Sequence, residues 1–174
     1  MKKCRECKIP FDPPNSLTSV CSPKCALQHV RKQRIKDQRK DLKARRERLK
    51  TLSDHHRETQ AVFNKYIRLR DGLLELPCIS CQRSTKAKRN AGHYLSVGGH
   101  PELRYEEDNC HSQCEHCNSW LSGNQQAYRE NLIQKIGQGR VDRLEGPQYS
   151  PQYRVEDLKA IQAEYRLKIK ELSQ

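Results

Sequence analysis

Residues 78–118 decide how this chain folds, and their sequence is CISCQRSTKAKRNAGHYLSVGGHPELRYEEDNCHSQCEHCN. The segment starts with one Cys-x-x-Cys pair and nearly ends with another. Two such pairs supply the four thiolates of a tetrahedral structural zinc site, and the chain between them becomes a closed loop. We therefore predict a zinc site whose ligands are Cys78, Cys81, Cys114 and Cys117.

A second group of paired cysteines lies near the start of the chain, where three prolines separate the two pairs. This pattern predicts a zinc finger over residues 1–28. Its four ligands are expected to be Cys4, Cys7, Cys21 and Cys25. Both zinc ions are expected to be structural, because a shell of four cysteines leaves no open coordination position for chemistry. Cys110 has no such partner, and we expect it to be a small buried apolar residue.

The composition indicates a basic protein with a polyanionic partner. The chain has 174 residues, a formal net charge of +13 and a sequence pI of about 9.5. Only 34% of the residues are hydrophobic, so apolar burial needs bound metal to help stabilise the fold. No stretch is apolar enough for a signal peptide or a membrane span. We therefore expect no membrane partner and a reducing cytoplasm, in which paired cysteines bind metal.

The positive charge is concentrated in one window. Residues 29–71 are rich in good helix formers and predict one or two long helices that form a basic, solvated arm. Eleven cations and three acidic residues lie within residues 31–50. This density without interleaved aromatic residues favours contacts with DNA phosphates over base recognition. The cations are Arg31, Lys32, Arg34, Lys36, Arg39, Lys40, Lys43, Arg45, Arg46, Arg48 and Lys50.

Residues 72–140 predict a small α+β domain. Within it, residues 90–97 and 103–111 indicate two strands, since aromatic and branched residues flank a Gly- and Pro-containing turn at 98–101. A helix is expected after the last zinc cysteine. We expect three large aromatic side chains to belong to the core and not to platforms on which bases stack. They are Tyr94, Tyr105 and Trp120.

The C-terminal part of the chain predicts two further features. A helix is expected to stop at Gly137, and a loop rich in Gly, Pro and Tyr should follow it to Pro151. In the last predicted region, residues 141–174, apolar side chains recur at three- and four-residue spacing from Val155 to Leu172. We predict a helix there that packs on its own domain, with a two-helix dimer contact as the alternative.

Three polar residues indicate chemistry inside the loop that the second zinc closes. His93 lies on the first predicted strand, Asn109 on the second, and Asn118 directly after the last zinc cysteine. This order resembles the ββα-metal nucleases of the HNH or His-Me finger class. In such a site a neutral histidine takes a proton from water, while a hard divalent ion stabilises the charge on the phosphate. The resemblance implies a zinc-stapled nuclease domain that uses Mg²⁺ or Mn²⁺.

A closer resemblance covers nearly the whole chain. The motifs that carry it are Gly92-His93-Tyr94, Leu103-Arg104-Tyr105, Asn109, His111-Ser112-Gln113-Cys114, Cys117-Asn118 and Ser122-Gly123-Asn124. Together with the N-terminal finger and basic helix they resemble the NinG family of lambdoid phages, also called Rap. That family implies a recombination endonuclease for branched DNA, including Holliday junctions and displacement loops, in the cytoplasm of the bacterial host. Symmetric cleavage of a four-way junction needs two active sites, so we expect a homodimer.

The resemblance also implies roles for single residues. His93 corresponds to the general base, Asn118 to a ligand of the catalytic metal, and Asn109 to the residue that holds the second strand and the loop in register. Many HNH enzymes carry a metal-binding Asp directly before the base, whereas this chain has Gly92. The first candidate to replace that ligand is His111, followed by His93, Asp108 and His100. If His93 binds the metal, the base is expected to be His111.

Two other functions fit parts of the same sequence. The absence of the Asp before His93 leaves room for a zinc-dependent DNA-binding or annealing factor without catalysis. An RNA-binding zinc-knuckle protein is a third reading, but no aromatic platform supports it. The order of His93, Asn109 and Asn118 favours the enzyme.

Overall fold

The chain divides into two units. The structure is a computed structural model that describes residues 1–84, 88–149 and 151–174. Its units are Met1–Lys50 and Thr51–Gln174. The boundary predicted near residue 71 lies inside the second unit, because the helix after residue 50 has an apolar face that packs into the core of that unit.

The first unit consists of a short hairpin and one long helix. Strands β1 (Lys2–Lys3) and β2 (Pro10–Phe11) pair antiparallel, and helix α1 spans Pro23–Arg48. Ser22 caps α1, since its hydroxyl accepts a hydrogen bond from the backbone N–H of Cys25 at 3.2 Å. No residue of α1 is buried, which confirms the prediction of a solvated basic helix.

The second unit contains a hairpin surrounded by helices. Helix α2 spans Leu52–Leu73, and the strands are β3 (Arg89–His93) and β4 (Cys110–Cys114). A π-helical turn at His116–Trp120 follows β4. The remaining helices are α3 (Gln125–Ile136), α4 (Gln138–Glu145) and α5 (Val155–Leu172). The chain is thus a small α+β protein.

Helices α2 and α5 form one half of the core. Phe63 and Ile67 of α2 are fully buried four residues apart, against Leu158 and Tyr165 of α5. The predicted α5 and its packing on its own domain are confirmed. Gln162 breaks the apolar repeat, and its amide donates to the Thr59 hydroxyl at 3.0 Å. A buried polar group on α5 therefore has a matched partner on α2.

The other half of the core lies under α3 and α4. Gly137 ends α3 with φ at 87°, as the sequence predicted, but a loop does not follow it directly. Helix α4 starts at once, because Val141 and Leu144 recur one turn apart and bury against Tyr128 and Leu132 of α3. The prediction of a loop was wrong for residues 138–145, whereas residues 146–149 form no helix or strand.

The hairpin differs from its prediction. Strands β3 and β4 pair antiparallel with His93 opposite Cys110, and the connection between them contains two 3₁₀ turns, Pro101–Leu103 and Glu107–Asn109. The second strand therefore starts at residue 110, not 103. Residues 103–109 leave the extended conformation because the side chain of Asn109 forms hydrogen bonds with the backbone of Leu95 and Leu103.

None of the helices in the described ranges combines the length and the apolar character needed to cross a lipid bilayer.

Candidate functional site

Both predicted cysteine sets come together as compact clusters. Within each set the four sulfur atoms lie within 4.8 Å of one another. A tetrahedral zinc with Zn–S bonds of about 2.3 Å separates its sulfurs by about 3.8 Å, and the Cys81 and Cys114 sulfurs are 3.9 Å apart. The two Cys₄ clusters could therefore each hold a zinc ion. Cys110 belongs to neither cluster and is fully buried, as predicted.

Backbone N–H groups prepare the second cluster for a metal. The N–H of Cys114 donates to the Cys78 sulfur at 3.3 Å, and the N–H of Cys117 donates to the Cys114 sulfur at 3.4 Å. Burial by itself raises the pKa of Cys78, but the backbone donors, led by Cys114, bring it down to about 7. Because the thiolate is the form that binds metal, the donors to the Cys78 sulfur favour ligation by Cys78 near neutral pH.

His93 is held at the end of β3 in a defined orientation. Its Nε2 lies 3.0 Å from the carbonyl oxygen of Arg104, and its ring stacks on Phe63 with the centroids 6.1 Å apart. A carbonyl only accepts, so Nε2 carries the proton and Nδ1 keeps a lone pair. Nδ1 lies 3.8 Å from the Cys110 sulfur. Burial lowers the pKa of His93, the carbonyl contact opposes this, and the Arg104 charge adds to the lowering, so the ring is neutral at pH 7.

Asn109 fastens the connection between the two strands. Its side-chain oxygen accepts from the N–H of Leu95 at 2.8 Å, and its amide donates to the carbonyls of Leu95 at 3.0 Å and Leu103 at 3.2 Å. The Asn109 side chain is fully buried, and both its oxygen and its amide nitrogen form hydrogen bonds. It thereby joins the start, the middle and the end of the connection, next to the carbonyl that holds His93.

His93 and His111 lie on opposite faces of the hairpin. The register pairs His93 with Cys110 and Gly92 with His111, and neighbouring residues of a strand point to opposite faces. The structure therefore does not bring the two histidines together. The remaining metal-ligand candidates are also engaged elsewhere: Asp108 pairs with Arg140 and Arg143, and His100 with Glu102.

His111 lies in a buried cluster of charged groups. Its Nε2 is 3.1 Å from the carbonyl of Asp108, and its Nδ1 is 3.0 Å from the Arg70 guanidinium and 2.9 Å from the Lys135 amine. The Asp71 carboxylate is 3.9 Å away. Burial first, then the charges of Lys135 and Arg70, lower the pKa of His111 to about 3. Two cations at one ring nitrogen are a poor environment for a divalent ion.

This burial predicts a pH dependence of stability. Unfolded His111 has a pKa near 6.5 and the folded ring about 3, so between these values the unfolded chain binds more protons. The free energy of unfolding should therefore fall as the pH falls below about 6.5, by up to about 1.4 kcal/mol per pH unit from this residue. His111→Gln should flatten that slope, as measured by denaturant unfolding between about pH 7 and 5. An unchanged slope in His111→Gln, or an equal flattening in the control His100→Gln, would contradict this.

Gly92 faces the side chains of Gln113 and Asn118. A Cβ atom built on Gly92 would lie 2.1 Å from Gln113 Oε1 and 3.0 Å from Asn118 Oδ1. Gln113 cannot easily withdraw, because its amide donates to the Ser80 hydroxyl and the Gly123 carbonyl, both at 2.6 Å. There is no room for the Asp found here in many HNH enzymes. The amide oxygens of Gln113 and Asn118 share this space instead.

Sequence reasoning missed Gln113. The signal was its position two residues after His111, which places it on the strand face that Gly92 occupies. Its side chain is fully buried, and its Oε1 has no hydrogen-bond partner among the described residues. Asn118 lies within the π-helical turn, and its amide is 3.5 Å from the Ser119 hydroxyl. Capping of the turn therefore does not explain Asn118.

Gly92→Ala should destabilise the second unit by about 1–3 kcal/mol, because the added methyl group overpacks a fixed side chain. Gly139→Ala is the matched control, since nothing lies within 4 Å of the Cβ position at Gly139 in α4. Alanine at an open helix position should be neutral or stabilising. The measurement is denaturant unfolding of both variants, and equal midpoints would contradict the steric account.

The aromatic side chains only partly follow their prediction. Tyr94 and Tyr105 are buried, as expected. Trp120 is 78% exposed, so its assignment to the core was wrong. The π-helical turn directs Cys117 into the zinc cluster and leaves Trp120 at its end in solvent.

Comparison with known proteins places the chain in a family. A family profile described as "Bacteriophage Lambda NinG protein" matches residues 1–174. The chain belongs to the NinG family. Protein ninG of Escherichia phage lambda is 38% identical over 191 residues, which covers 98% of this chain and 93% of that protein. Protein ninG of Salmonella phage P22 is 37% identical, with the same shares covered. No solved structure matches the chain.

The family match includes both cysteine clusters and the hairpin, since it spans residues 1–174. The resemblance predicted from the motifs in residues 92–124 is confirmed at the level of the NinG family.

The first unit contributes a helix on which every cation from Arg31 to Arg48 is exposed. Lys32 forms an ion pair with Glu6, and Lys50 forms one with Glu47, within a window that still carries eleven cations against three acidic residues. Such a surface is suited to phosphate groups.

Proposed function

We propose that this NinG-family chain is a structure-specific DNA endonuclease that cuts branched recombination intermediates, such as Holliday junctions and displacement loops, by divalent-metal-dependent hydrolysis. It would act as a homodimer in the cytoplasm of the bacterial host. The observation that carries the proposal is His93. A neutral imidazole whose Nε2 is anchored on the Arg104 carbonyl keeps the lone pair that a general base requires on Nδ1, which faces the Cys110 sulfur at 3.8 Å until a water takes that place.

His93 has a simple part in the proposed reaction. Its Nδ1 takes a proton from the water that attacks phosphorus, and its Nε2–H bond to Arg104 keeps the ring oriented and carries part of the resulting positive charge. The Asn109 side chain fixes the connection that contains Arg104. Because burial lowers the pKa of His93, the base remains unprotonated below the usual histidine range.

Two amide oxygens near Gly92, on the hairpin face opposite to His93 but at the same end of β3, are the donors that we propose for a hard divalent cation. Asn118 Oδ1 and the unpartnered Gln113 Oε1 share one space, and amide oxygens suit Mg²⁺ or Mn²⁺. A bound ion would neutralise charge that grows on the phosphate and the leaving oxygen. Asn118 and Gln113 would hold it; His111, paired with Arg70 and Lys135, would not. No carboxylate contributes, and Gln113 Oε1 is buried, so water and the phosphate would complete the shell from the side of half-buried Asn118.

The basic helix α1 supports DNA as the partner. Its exposed cations would contact phosphates without reading bases, which suits an enzyme that recognises the shape of a junction. Replacing Arg39, Lys40 and Lys43 together by Gln should weaken binding to all DNA forms and make log K against log salt less steep by about 0.9 for each lost contact. Titrations of four-way and linear DNA at several salt concentrations measure both. An unchanged slope would exclude this face of α1 from the interface.

The experiment that tests the proposal compares labelled four-way junction, three-way junction and linear duplex, each with Mg²⁺, with Mn²⁺ and with neither. We expect cuts that need metal and favour branched DNA. Tight binding without cutting under every condition would favour a zinc-dependent DNA-binding or annealing factor. The missing Asp at Gly92 is the observation that supports that second function.

A further inference from the structure

Arg104 is fixed next to His93 through its backbone. It follows the 3₁₀ turn at Pro101–Leu103, and its carbonyl oxygen lies 3.0 Å from His93 Nε2. Its half-buried side chain lines an open cavity against α2. The backbone and the side chain of one residue thus connect the candidate base with a nearby binding space.

The cavity combines an apolar lining with basic side chains. Its volume is about 700 Å³, and no carboxylate lines it. Its polar lining consists of Ser53, His56, Arg57, Gln60, Asn64 and Arg104. The Gln60 amide donates to Asn64 Oδ1 at 2.8 Å, which leaves the Asn64 NH₂ group available as a donor. The Arg104 guanidinium and the Asn64 amide are donors that suit an anion such as a phosphate group, and the open cavity leaves room for the strand that carries it.

Arg104 differs from three cations of the second unit that pair with carboxylates, and shares its lack of a carboxylate partner with half-buried Arg89. Arg70 pairs with Asp71 at 2.8 Å, Lys135 with Asp71 at 3.5 Å, and Lys168 with Glu107 at 2.8 Å. Arg104 forms no ion pair with a carboxylate among the described residues. A guanidinium that is partly removed from water without a counter-charge is costly, and a ligand anion would compensate it.

The charge of Arg104 reaches the histidines on both sides. Burial first and the Arg104 charge second lower the pKa of His56, and the same charge acts on His93. Arg104 thus links the cavity to His93 through the backbone carbonyl that holds His93 Nε2.

We propose that this cavity binds a backbone phosphate of the DNA, with the Arg104 guanidinium as its principal ligand. The inference rests on the proposed function and adds a substrate-binding residue to it. Arg104 would hold the strand at His93, and the Asn64 amide would add a second donor. The site recognises phosphate and not base, in keeping with the rest of the basic surface.

The test compares Arg104→Gln with Arg57→Gln. Both remove one positive charge from the same cavity, but the Arg57 side chain is 78% exposed and pairs with Asp54 at 2.7 Å. The backbone carbonyl that anchors His93 remains in both variants. Zinc content and melting temperature are measured first, and Arg104→Lys is included as a variant that keeps the charge.

Binding to four-way DNA without a divalent ion gives the first result. Arg104→Gln should make log K against log salt less steep by about 0.9, whereas Arg57→Gln, at an exposed position already paired with Asp54, should change it by less than half as much. In Mg²⁺, Arg104→Gln should slow single-turnover cleavage by about 10- to 100-fold, with partial recovery in Arg104→Lys. Equal slopes and equal rates in the two Gln variants would overturn the inference.

The two proposals can fail separately. A lost phosphate contact in Arg104→Gln, in a protein that cuts no DNA, would support the phosphate site and contradict the nuclease. Wild-type cleavage that depends on His93 but is unchanged by Arg104→Gln would contradict the phosphate site and support the nuclease.

Discussion

His93→Ala should lower the rate of metal-dependent DNA cleavage by about 100- to 10,000-fold, the contribution typical of a positioned general base. The variant removes the imidazole ring whose Nε2 is held by the Arg104 carbonyl. Alanine also leaves a gap against Phe63, so some loss of stability is expected. DNA affinity should change little, because the phosphate contacts come from other residues. Single-turnover rates with bound DNA separate the chemical step from binding.

His100→Ala is the matched control for His93→Ala. His100 lies in the same connection between β3 and β4, and its ring contacts Glu102 at 3.1 Å. Its removal should leave the cleavage rate within about a factor of two, because a partly exposed ring paired with a carboxylate is not placed to act as the base. If His93→Ala cuts at the wild-type rate while its zinc content and DNA affinity are intact, the assignment of the base is wrong.

Loss of the second zinc should unfold the hairpin region of the second unit. A structural zinc contributes about 10–16 kcal/mol to folding, which matches or exceeds the total stability of about 5–15 kcal/mol of a typical domain. Cys114 lies at the end of β4, and its sulfur and backbone both take part in the cluster. Cys114→Ser should therefore reduce the zinc content from two ions per chain to one and abolish cooperative unfolding.

Cys110→Ala is the control for the zinc prediction. Cys110 is as buried as the ligands but belongs to neither cluster. This variant should keep two zinc ions and lose only about 1–2 kcal/mol of stability, from packing. Metal analysis and denaturant unfolding measure both effects. A Cys114→Ser chain that retains two zinc ions and unfolds cooperatively would contradict the assignment of the ligands.

Local sequence signals predicted much of this fold. The cysteine spacing predicted both clusters, since each pair closes its own tight turn around one point. The apolar repeat from Val155 to Leu172 predicted α5, and Gly137 marked the end of α3. These features depend on residues that are close in the sequence, for which spacing alone carries the information.

Features that depend on distant residues were missed. The face of α2 that buries Phe63 was assigned to a basic arm, because its partners on α5 lie about a hundred residues later. His111 was a metal-ligand candidate because Arg70 and Lys135, which surround it, are remote in sequence. The lack of room for a side chain at Gly92 was missed because it depends on Gln113. The Gln113 side chain is oriented by hydrogen bonds to Ser80 and Gly123.

The most direct test of the central claim is the cleavage of a labelled four-way junction by the zinc-loaded wild-type protein in Mg²⁺, next to a linear duplex of the same sequence. The account predicts cuts near the branch point that disappear when EDTA is added just before Mg²⁺, and little cutting of the duplex. A protein that holds two zinc ions and binds the junction tightly, yet cuts it with neither Mg²⁺ nor Mn²⁺, would contradict it.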